Sequence, residues 1–212
     1  MSHPWPLFEL SVRTPSLELR YATDELLLEL TNVSGDVIPP GTLPFDGDAT
    51  FYEPSPVREQ RWLRGQWGAR SRTSPEWWVL VFAILVDGHA IGTQDVIGAN
   101  FPTVRTVSTF SWVTRSHQRR GLGKEARAAI LHLAFEGLGA ERATSEAFMD
   151  NLASQAVSRA LGYREDGTTW TTRKGEAGEM QRFVLSREEW QRGRRSDIEI
   201  LGLAPALAFL GI

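Results

Sequence analysis

The sequence predicts an α/β or α+β fold, a sheet with helices on its faces. Three successive segments, 77–86, 89–98 and 103–113, have the length and apolar content of strands. The Asp-Gly pair at 87–88 within "DGHA" is typical of the tight turn that joins two antiparallel strands. Strand-like and helix-like segments then alternate to residue 186. An antiparallel meander followed by strand–helix–strand units indicates a sheet flanked by helices.

The elements before the meander are less regular. Residues 7–23 alternate in polarity and break at Pro15, which predicts a strand split by a bend. Residues 24–33 predict a short helix with Asp24 as its N-cap. The turn-rich stretch 38–48 predicts a loop, and residues 54–72 predict a helix rich in Arg and Trp, whose tryptophans are expected to pack.

The second half predicts helices at 121–138 and 151–161, strands at 142–149, 163–171 and 177–186, and a short capped helix at 186–195. The best domain boundary lies near residue 195. Residues 1–195 then form the main domain, and the apolar tail 196–212 either covers the core or forms an oligomer interface.

Composition limits the possible functions. The chain has 212 residues, a net charge of −3 and no cysteine. These values give no general attraction to nucleic acid or membrane and exclude thiolate chemistry. The four histidines are scattered, so no metal is expected. We find no signal peptide, and the longest apolar run, 77–86, is too short for a bilayer, so a soluble cytoplasmic protein is expected.

The stretch 116–131 carries the clearest functional signal. Four cations, Arg119, Arg120, Lys124 and Arg127, surround two glycines at the predicted start of a helix. Free N–H groups and the helix dipole attract anions there, and glycine lets a ligand approach the backbone. The pattern therefore predicts a phosphate or pyrophosphate site.

This stretch differs from one nucleotide-binding motif and partly fits another. The P-loop pattern is absent. Gly121-x-Gly123-x-x-Ala126 fits a dinucleotide fingerprint, and Asp150 ends the next strand, where a ribose-binding acid is expected. Seven residues separate the preceding strand from the first glycine, however, and the preceding elements are a meander. A nicotinamide-dinucleotide oxidoreductase therefore remains an alternative.

Beyond these patterns, Gln118-Arg-Arg-Gly121-Leu-Gly123 resembles the Gln/Arg-x-x-Gly-x-Gly/Ala motif of the GNAT acyltransferase superfamily, which holds the pyrophosphate of coenzyme A. Asn151-x-x-Ser154, followed by Leu161-Gly162-Tyr163, resembles a segment of its RimJ/RimL branch. The resemblance spans about residues 13–186. It implies a mixed, mainly antiparallel sheet whose fourth and fifth strands, here 103–113 and 142–149, splay apart around the pantetheine arm.

The resemblance also implies the cofactor contacts. Backbone groups of the fourth strand would pair with pantetheine, and the amides of the glycine loop would hold pyrophosphate. The residues expected to bind the cofactor are Trp112, Val113, Thr114, Gln118, Arg119, Arg120, Gly121, Leu122, Gly123, Lys124, Asn151 and Ser154.

The implied reaction moves an acyl group from the thioester to an amine. A backbone N–H near Val113 is the expected oxyanion donor. The superfamily's usual tyrosine acid is replaced by Ser158, so Ser154 is the expected proton donor to the thiolate. Glu146 is the first candidate for the general base, and His117, Asp95 and a water chain are the others.

Substrates are less defined. The acceptor is expected to be a primary amine of a protein N-terminus, a lysine or a small molecule, including a drug. Acetyl is the default acyl group, but the segments "HPWPLFEL" and "REEWQR" resemble proteins described as succinyl-CoA-dependent. Arg58, Arg61 and Arg64 recur at helical spacing and are candidates to bind a succinyl carboxylate or line the acceptor cleft. A non-catalytic CoA-binding module and a homo-oligomer are further possibilities.

Overall fold

The computed structural model describes residues 3–39, 41–43, 45 and 50–212. Within them, nine strands form one sheet in the order β7-β8-β6-β5-β4-β3-β2-β1-β9. This mixed, mainly antiparallel sheet confirms the predicted fold class. The strands are β1 Ser11–Arg13, β2 Glu18–Tyr21, β3 Trp77–Val86, β4 His89–Ala99, β5 Thr106–Val113, β6 Arg142–Phe148, β7 Arg164–Arg173, β8 Glu176–Ser186 and β9 Glu199–Leu201.

Helices cover both faces of the sheet. They are α1 Asp24–Val33, α2 Val57–Ser71, α3 Phe101–Val104, α4 Leu122–His132, α5 Leu152–Ala160, α6 Arg187–Arg192 and α7 Leu203–Leu210. Leu27 of α1 and Trp62 of α2 share a buried cluster with Val81, whereas Ala126 and Ile130 of α4 share a different cluster with the opposite face. No helix among the described residues is long and apolar enough to cross a bilayer.

The central meander forms as predicted. β3 and β4 pair antiparallel over their full length, and the turn between them uses Asp87 and Gly88, whose φ angles are +50° and +82°. Two successive positive φ angles match the right-handed twist of the flanking strands. One tryptophan of α2 packs as expected, because Trp62 contacts Trp112 edge-to-face in the core, whereas Trp67 is 44% exposed.

Several expected boundaries differ. A 3₁₀ turn, Pro6–Glu9, precedes a hairpin of β1 and β2, so residues 7–23 are not one bent strand. The N-cap of α1 is Thr23, whose hydroxyl accepts the Leu26 N–H, while Asp24 instead bonds Arg70. Residues 103–104 belong to α3, so β5 begins at Thr106. The expected helix 121–138 ends as a π-helical turn at 133–137. Part of the expected loop 38–48 lies outside the described residues.

β5 and β6 are neighbours only at their first residues. They pair in parallel from Thr106 and Arg142 to Ser108 and Thr144, and the opposite edge of β6 pairs with β8 along its whole length. Beyond that point the edge of β5 that faces β6 has no strand partner among the described residues, so the two strands enclose a wedge-shaped cleft, as the resemblance implied. This is the one parallel pair among the described strands. Repeated βαβ units of a dinucleotide-binding fold are therefore not present in that part of the chain.

The C-terminal segment continues the same fold. β9 pairs antiparallel with β1, and Ala206 and Leu210 of α7 are completely buried in the cluster under α4. Through these contacts residues 196–212 pack against the rest of the described fold. The preceding α6 has the predicted capped start, because Ser186 and Glu189 form a reciprocal capping box.

Candidate active site

The loop between β5 and α4 has a conformation suited to an anion. Arg119 and Gly121 have φ angles of +58° and +81°, and left-handed residues turn successive amides toward one side of a loop. The first intrahelical bond joins Glu125 N–H to the Gly121 carbonyl, so the earlier helical amides have no acceptor within the helix. Gly121, the N-cap, provides no side-chain cap. A Cβ on Gly121 or Gly123 would meet no atom within 4 Å, so the loop faces open space.

The cations at this loop divide into two groups. Arg119, Arg120 and Lys124 are exposed, and none forms an ion pair within the described residues. They give this side of the loop an exposed positive charge. Arg127, which the sequence grouped with them, is instead buried, because it lies on the face of α4 that packs against the sheet.

Arg127 reaches the cleft between the splayed strands. One guanidinium nitrogen donates to Ser145 Oγ of β6 at 3.0 Å and the other to Ser111 Oγ of β5 at 3.2 Å. Burial lowers the pKa of Arg127, and the neighbouring Tyr163 hydroxyl opposes that shift. The side chain therefore bridges the two strands just beyond their last paired residues.

The backbone of β5 presents alternate N–H groups to the cleft. Thr114 N–H donates to the Ile91 carbonyl of the β4 side, so the alternation of a strand turns the N–H of Val113 the opposite way, into the cleft. Trp112 is two residues before Thr114, so its backbone N–H and C=O groups also point toward β4. This corrects the expectation that Trp112 and Thr114 offer their backbone to pantetheine, and it leaves Val113 and, two residues earlier, Ser111 as the cleft-facing amides.

Gln118 and His117 brace the loop. The Gln118 amide donates to the carbonyls of Val113, at 2.8 Å, and Val37, at 3.1 Å. His117 Nδ1 lies 2.9 Å from Thr114 Oγ1 and 3.0 Å from Ser116 Oγ. Both side chains therefore hold the loop against the end of β5, rather than pointing to the open side.

The start of α5 places the expected proton donor beside the end of β6. Asn151 caps the helix through the Ser154 N–H, so its side chain has a structural role here. The Ser154 side chain is half-buried and its hydroxyl has no partner among the described residues. One turn later, Ser158 is 1% exposed and its hydroxyl also has no partner there.

Two carboxylates lie on the face of the sheet that packs against α1 and α2. Glu146 alternates with Ser145, so it projects to this face, where it is exposed. Asp95 is directly opposite Val81 and Phe110 and is buried among them. Burial raises the pKa of Asp95 to about 8, partly offset by the Thr93 hydroxyl, and Oδ1 has no hydrogen-bond partner among the described residues.

The arginines of α2 have other contacts. Arg58 pairs with Glu59 and Arg61 with Glu53, at 2.5 Å and 3.3 Å. Arg64 is exposed. The structure does not bring these three side chains together at the cleft, and the contacts of Arg58 and Arg61 give both a role in fixing α2 to its own N-terminal turn. Among the described residues, no cluster of three or more His, Asp or Glu could hold a metal ion.

Sequence reasoning missed the placement of Arg127 and gave Asp95 no special weight. The first had a usable signal: Arg127 stands three and seven residues before Ile130 and Ala134, which is the spacing of one buried helix face. Asp95 had only a weak one, a single acid within a buried strand.

Known proteins share the sequence pattern and the fold of this chain. The profile of the family described as "Acetyltransferase (GNAT) domain" matches residues 42–164, more than half of the chain. Mycobacterium smegmatis RimJ in complex with CoA-disulfide is 19% identical, with a TM-score of 0.67, and the match covers 89% of this chain and 91% of that one.

Two other solved structures have the same fold. A GCN5-related N-acetyltransferase from Brucella melitensis is 20% identical with a TM-score of 0.66, covering 85% and 80% of the two chains. RimL, a ribosomal L7/L12 alpha-N-protein acetyltransferase in complex with coenzyme A, is 16% identical with a TM-score of 0.62, covering 82% and 95%. At these identities the likenesses establish the fold.

Proposed function

The chain belongs to the GNAT acetyltransferase family and is an acyl-CoA-dependent N-acyltransferase, and we propose that a primary amine attacks the thioester in the cleft between β5 and β6. The observation that carries this proposal is the separation of the two strands beyond Ser108 and Thr144, directly beside an uncapped helix start. A thioester arm can pair with the free edge of β5 while its phosphates bind the amides and cations of the loop.

Charge and geometry fit coenzyme A at this loop. The amides of Leu122, Gly123 and Lys124 are without intrahelical acceptors, and Arg119 and Arg120 supply exposed positive charge. Phosphate oxygens accept hydrogen bonds from both kinds of donor. The braces made by Gln118 and His117 keep the loop in this conformation, so in our proposal they act on the cofactor through the loop.

The proposed chemistry is direct transfer. The neutral amine nitrogen bonds to the thioester carbonyl carbon, and the tetrahedral oxyanion accepts hydrogen bonds from the cleft-facing amides of Ser111 or Val113. Collapse breaks the carbon–sulfur bond, the nitrogen loses a proton to a base and the thiolate gains one from an acid. Ser154, with its free hydroxyl at the mouth of the cleft, is the proposed acid.

The two candidate bases, Asp95 and Glu146, differ in burial: Asp95 is buried and Glu146 is exposed. Asp95, with its raised pKa and unpartnered oxygen, is matched to an amine near neutral pH. It is opposite Phe110, next to Ser111 on β5, on the face that α1 and α2 cover. Glu146 shares that face but is solvated. We therefore propose Asp95 as the base, and the Glu146→Gln variant is the matched comparison.

An α-amine is the proposed acceptor class. Its pKa of about 7.7–8.0 is below that of lysine, about 10.4, so it needs less help from a base. One structural neighbour, RimL, is described as an alpha-N-protein acetyltransferase, so its acceptor is a protein α-amine. Lysine and small-molecule amines are the other acceptor classes to be tested, and a CoA-binding module without transfer is the alternative function. A cytoplasmic location and a homo-oligomer are part of the same proposal.

The donor is proposed to be acetyl-CoA or succinyl-CoA. Arg58 and Arg61 are less suited to bind a succinyl carboxylate, because they already pair with Glu59 and Glu53. The loop and cleft themselves accept any short acyl ester of CoA.

Calorimetry with acetyl-CoA, succinyl-CoA and NAD tests the cofactor class, and release of free CoA thiol in the presence of N-terminal peptides, lysine peptides and small amines tests transfer. We expect CoA esters to bind, NAD not to bind, and thiol release to depend on an amine. Binding of NAD alone would overturn the proposal, and CoA binding without transfer to any amine would support the non-catalytic module.

A further inference from the structure

Arg127 is a buried cation whose charge is not balanced by its neighbours. Arg127 is 4% exposed, and the groups that face it are neutral hydroxyls: it donates to Ser111 and Ser145, and the Tyr163 hydroxyl lies beside it. Within the part of the chain that the structure describes, no carboxylate pairs with it. Removing a cation from water is costly unless a negative charge faces it.

Hydrogen-bond donors exceed acceptors around this guanidinium. Arg127 Nε, Thr109 Oγ1 and Tyr163 Oη are buried without a well-formed hydrogen bond, although the Tyr163 hydroxyl lies beside both Thr109 and Arg127. Arginine can only donate, and a hydroxyl can donate as well as accept. A carboxylate accepts at both oxygens, so it is the group that would satisfy these donors together.

The position of Arg127 defines where such a carboxylate would come from. Ser111 and Ser145 follow the last paired residues, Ser108 and Thr144, on the two splayed strands. Arg127 therefore crosses the narrow end of the cleft, next to the strand segment whose amides face the proposed thioester. A carboxylate placed between β5 and β6 at this point would face the guanidinium, whereas an acetyl methyl group would give it nothing to bind.

We propose that Arg127, with Ser111 and Ser145, binds the terminal carboxylate of the donor's acyl group, so that the preferred donor is the CoA ester of a short dicarboxylic acid. The proposal rests on the proposed function, because it requires an acyl-CoA in the cleft. It places the specificity on α4 and assigns none of it to Arg58, Arg61 or Arg64 of α2.

The wild-type protein provides the first test, which needs no acceptor. Succinyl-CoA and butyryl-CoA have acyl chains of equal length and differ in the terminal carboxylate. We expect calorimetry to show succinyl-CoA binding about 10- to 100-fold tighter, the usual effect of hydrogen bonds to a charged group. Equal affinities would overturn this inference while leaving the proposed function standing. Failure of every CoA ester to bind would instead overturn the proposed function.

Two variants identify the residue. Arg127→Met keeps the length of the side chain without its charge, and Arg127→Lys keeps the charge without the fork. We expect Arg127→Met to remove the preference for succinyl-CoA and leave butyryl-CoA affinity within about threefold, and Arg127→Lys to retain part of the preference. Arg192→Met, at an exposed arginine of α6, is the matched control and should keep the full preference.

An equal loss for both esters in Arg127→Met would mean that Arg127 only supports the cleft, and a preserved preference would place the carboxylate elsewhere. Either result overturns the proposal. Replacing a buried charged group with an apolar one of similar volume is often neutral or stabilising, so the variant is expected to fold. If it does not, the Lys variant and the wild-type comparison of the two esters still decide the matter.

Discussion

Gly121 determines the backbone path of the loop before α4, and its φ of +81° is one that a β-branched residue avoids. We expect Gly121→Val to lower stability by roughly 1–2 kcal/mol through this strain and to weaken CoA binding by more than tenfold. The second effect arises because a side chain would occupy the open side of the loop, where we propose that phosphate binds. Thermal unfolding and calorimetry measure the two effects separately.

Gly123→Ala is the control for that variant. Gly123 lies in the first turn of α4 and has no positive φ, so a methyl group there adds a Cβ to the same loop without backbone strain. We expect stability to be equal or slightly higher and CoA affinity to change by less than about threefold. Normal CoA affinity in a folded Gly121→Val protein would contradict the assignment of this loop to phosphate.

Asp95, the proposed base, also affects the stability of the fold. Its pKa is about 8 in the folded protein and 3.8 in the unfolded chain, so between these values the folded state holds a proton that the unfolded state has lost. Stability therefore falls as pH rises through this window, on the order of 1.4 kcal/mol per pH unit at most, and levels off above pH 8. Asp95→Asn cannot ionise, so denaturant unfolding from pH 4 to 9 should show the variant gaining on the wild type. A constant difference would argue against a buried, neutral Asp95.

The same variant tests the proposed base. Activity should rise with pH toward a plateau above about 8 in the wild type, because the base works in its deprotonated form. Asp95→Asn should lower kcat by about 100-fold or more, whereas Glu146→Gln, at an exposed carboxylate on the same face, should stay within about threefold. The reverse result would return the role to Glu146.

Ser154→Ala tests the proposed acid without disturbing the helix start, since Asn151 bonds the Ser154 N–H and not its hydroxyl. We expect kcat to fall about tenfold or more while KM for acyl-CoA changes little, because the bond forms mainly in the transition state. Ser158→Ala removes a neighbouring hydroxyl that is buried and unpartnered, and it should leave turnover near normal. Loss of turnover only in the second variant would identify Ser158 as the acid.

At this scale the sequence revealed residue types better than contacts. The glycine spacing and the cations beside it could be read from "QRRGLGK" alone. The two backbone hydrogen bonds of Gln118 and the burial of Asp95 could not be read from the sequence. Each depends on a residue distant in sequence, Val37 for Gln118 and Val81 for Asp95.

Among the elements, the periodic ones were predicted well and their ends less well. β3, β4 and α5 were expected within a residue or two of their observed bounds. The expected start of β5 was three residues too early, because the segment "PTV" has the apolar content of a strand. In the structure this segment belongs to a single helical turn, and Asn100 and Arg105, which flank the turn, both have positive φ angles. Periodicity does not report such local backbone changes.

The capping box of α6 is an element whose effect can be measured. Ser186 accepts from the Glu189 N–H, and Glu189 accepts from the Ser186 N–H at 2.9 Å. We expect Ser186→Ala to lower the free energy of unfolding by about 1 kcal/mol, because two helix amides lose their paired arrangement. Ser16→Ala, at an exposed serine in the turn after β1, is the control for denaturant unfolding and should change stability by less than about 0.5 kcal/mol. Equal effects would mean that the box does not stabilise α6.

For the whole molecule, the splayed pair was foreseen from the resemblance and not from the pattern of residues. β5 and β6 each look like an ordinary buried strand, and the cleft opens because their pairing stops at Ser108 and Thr144 while both strands continue. Pairing between strands more than thirty residues apart is a tertiary property, so the sequence indicates strands but not the gap between them.

Removal of the last 17 residues, 196–212, tests whether they are part of the folded domain. A boundary near residue 195 predicts that residues 1–195 fold alone, but β9 covers the edge of β1, and Ala206 and Leu210 fill the core under α4. Removing 196–212 would expose that edge and those apolar surfaces together. We expect the truncated chain to be largely insoluble, or to unfold at least about 10 °C below the full chain, since burial of several side chains is lost.

A point variant tests the same packing. Leu210→Ala should lower the free energy of unfolding by about 2–4 kcal/mol, and Leu28→Ala, at an exposed leucine of α1, should lower it by well under 1 kcal/mol. A soluble, cooperatively unfolding fragment 1–195 with normal CoA affinity would show instead that the segment is an appendage to a complete domain.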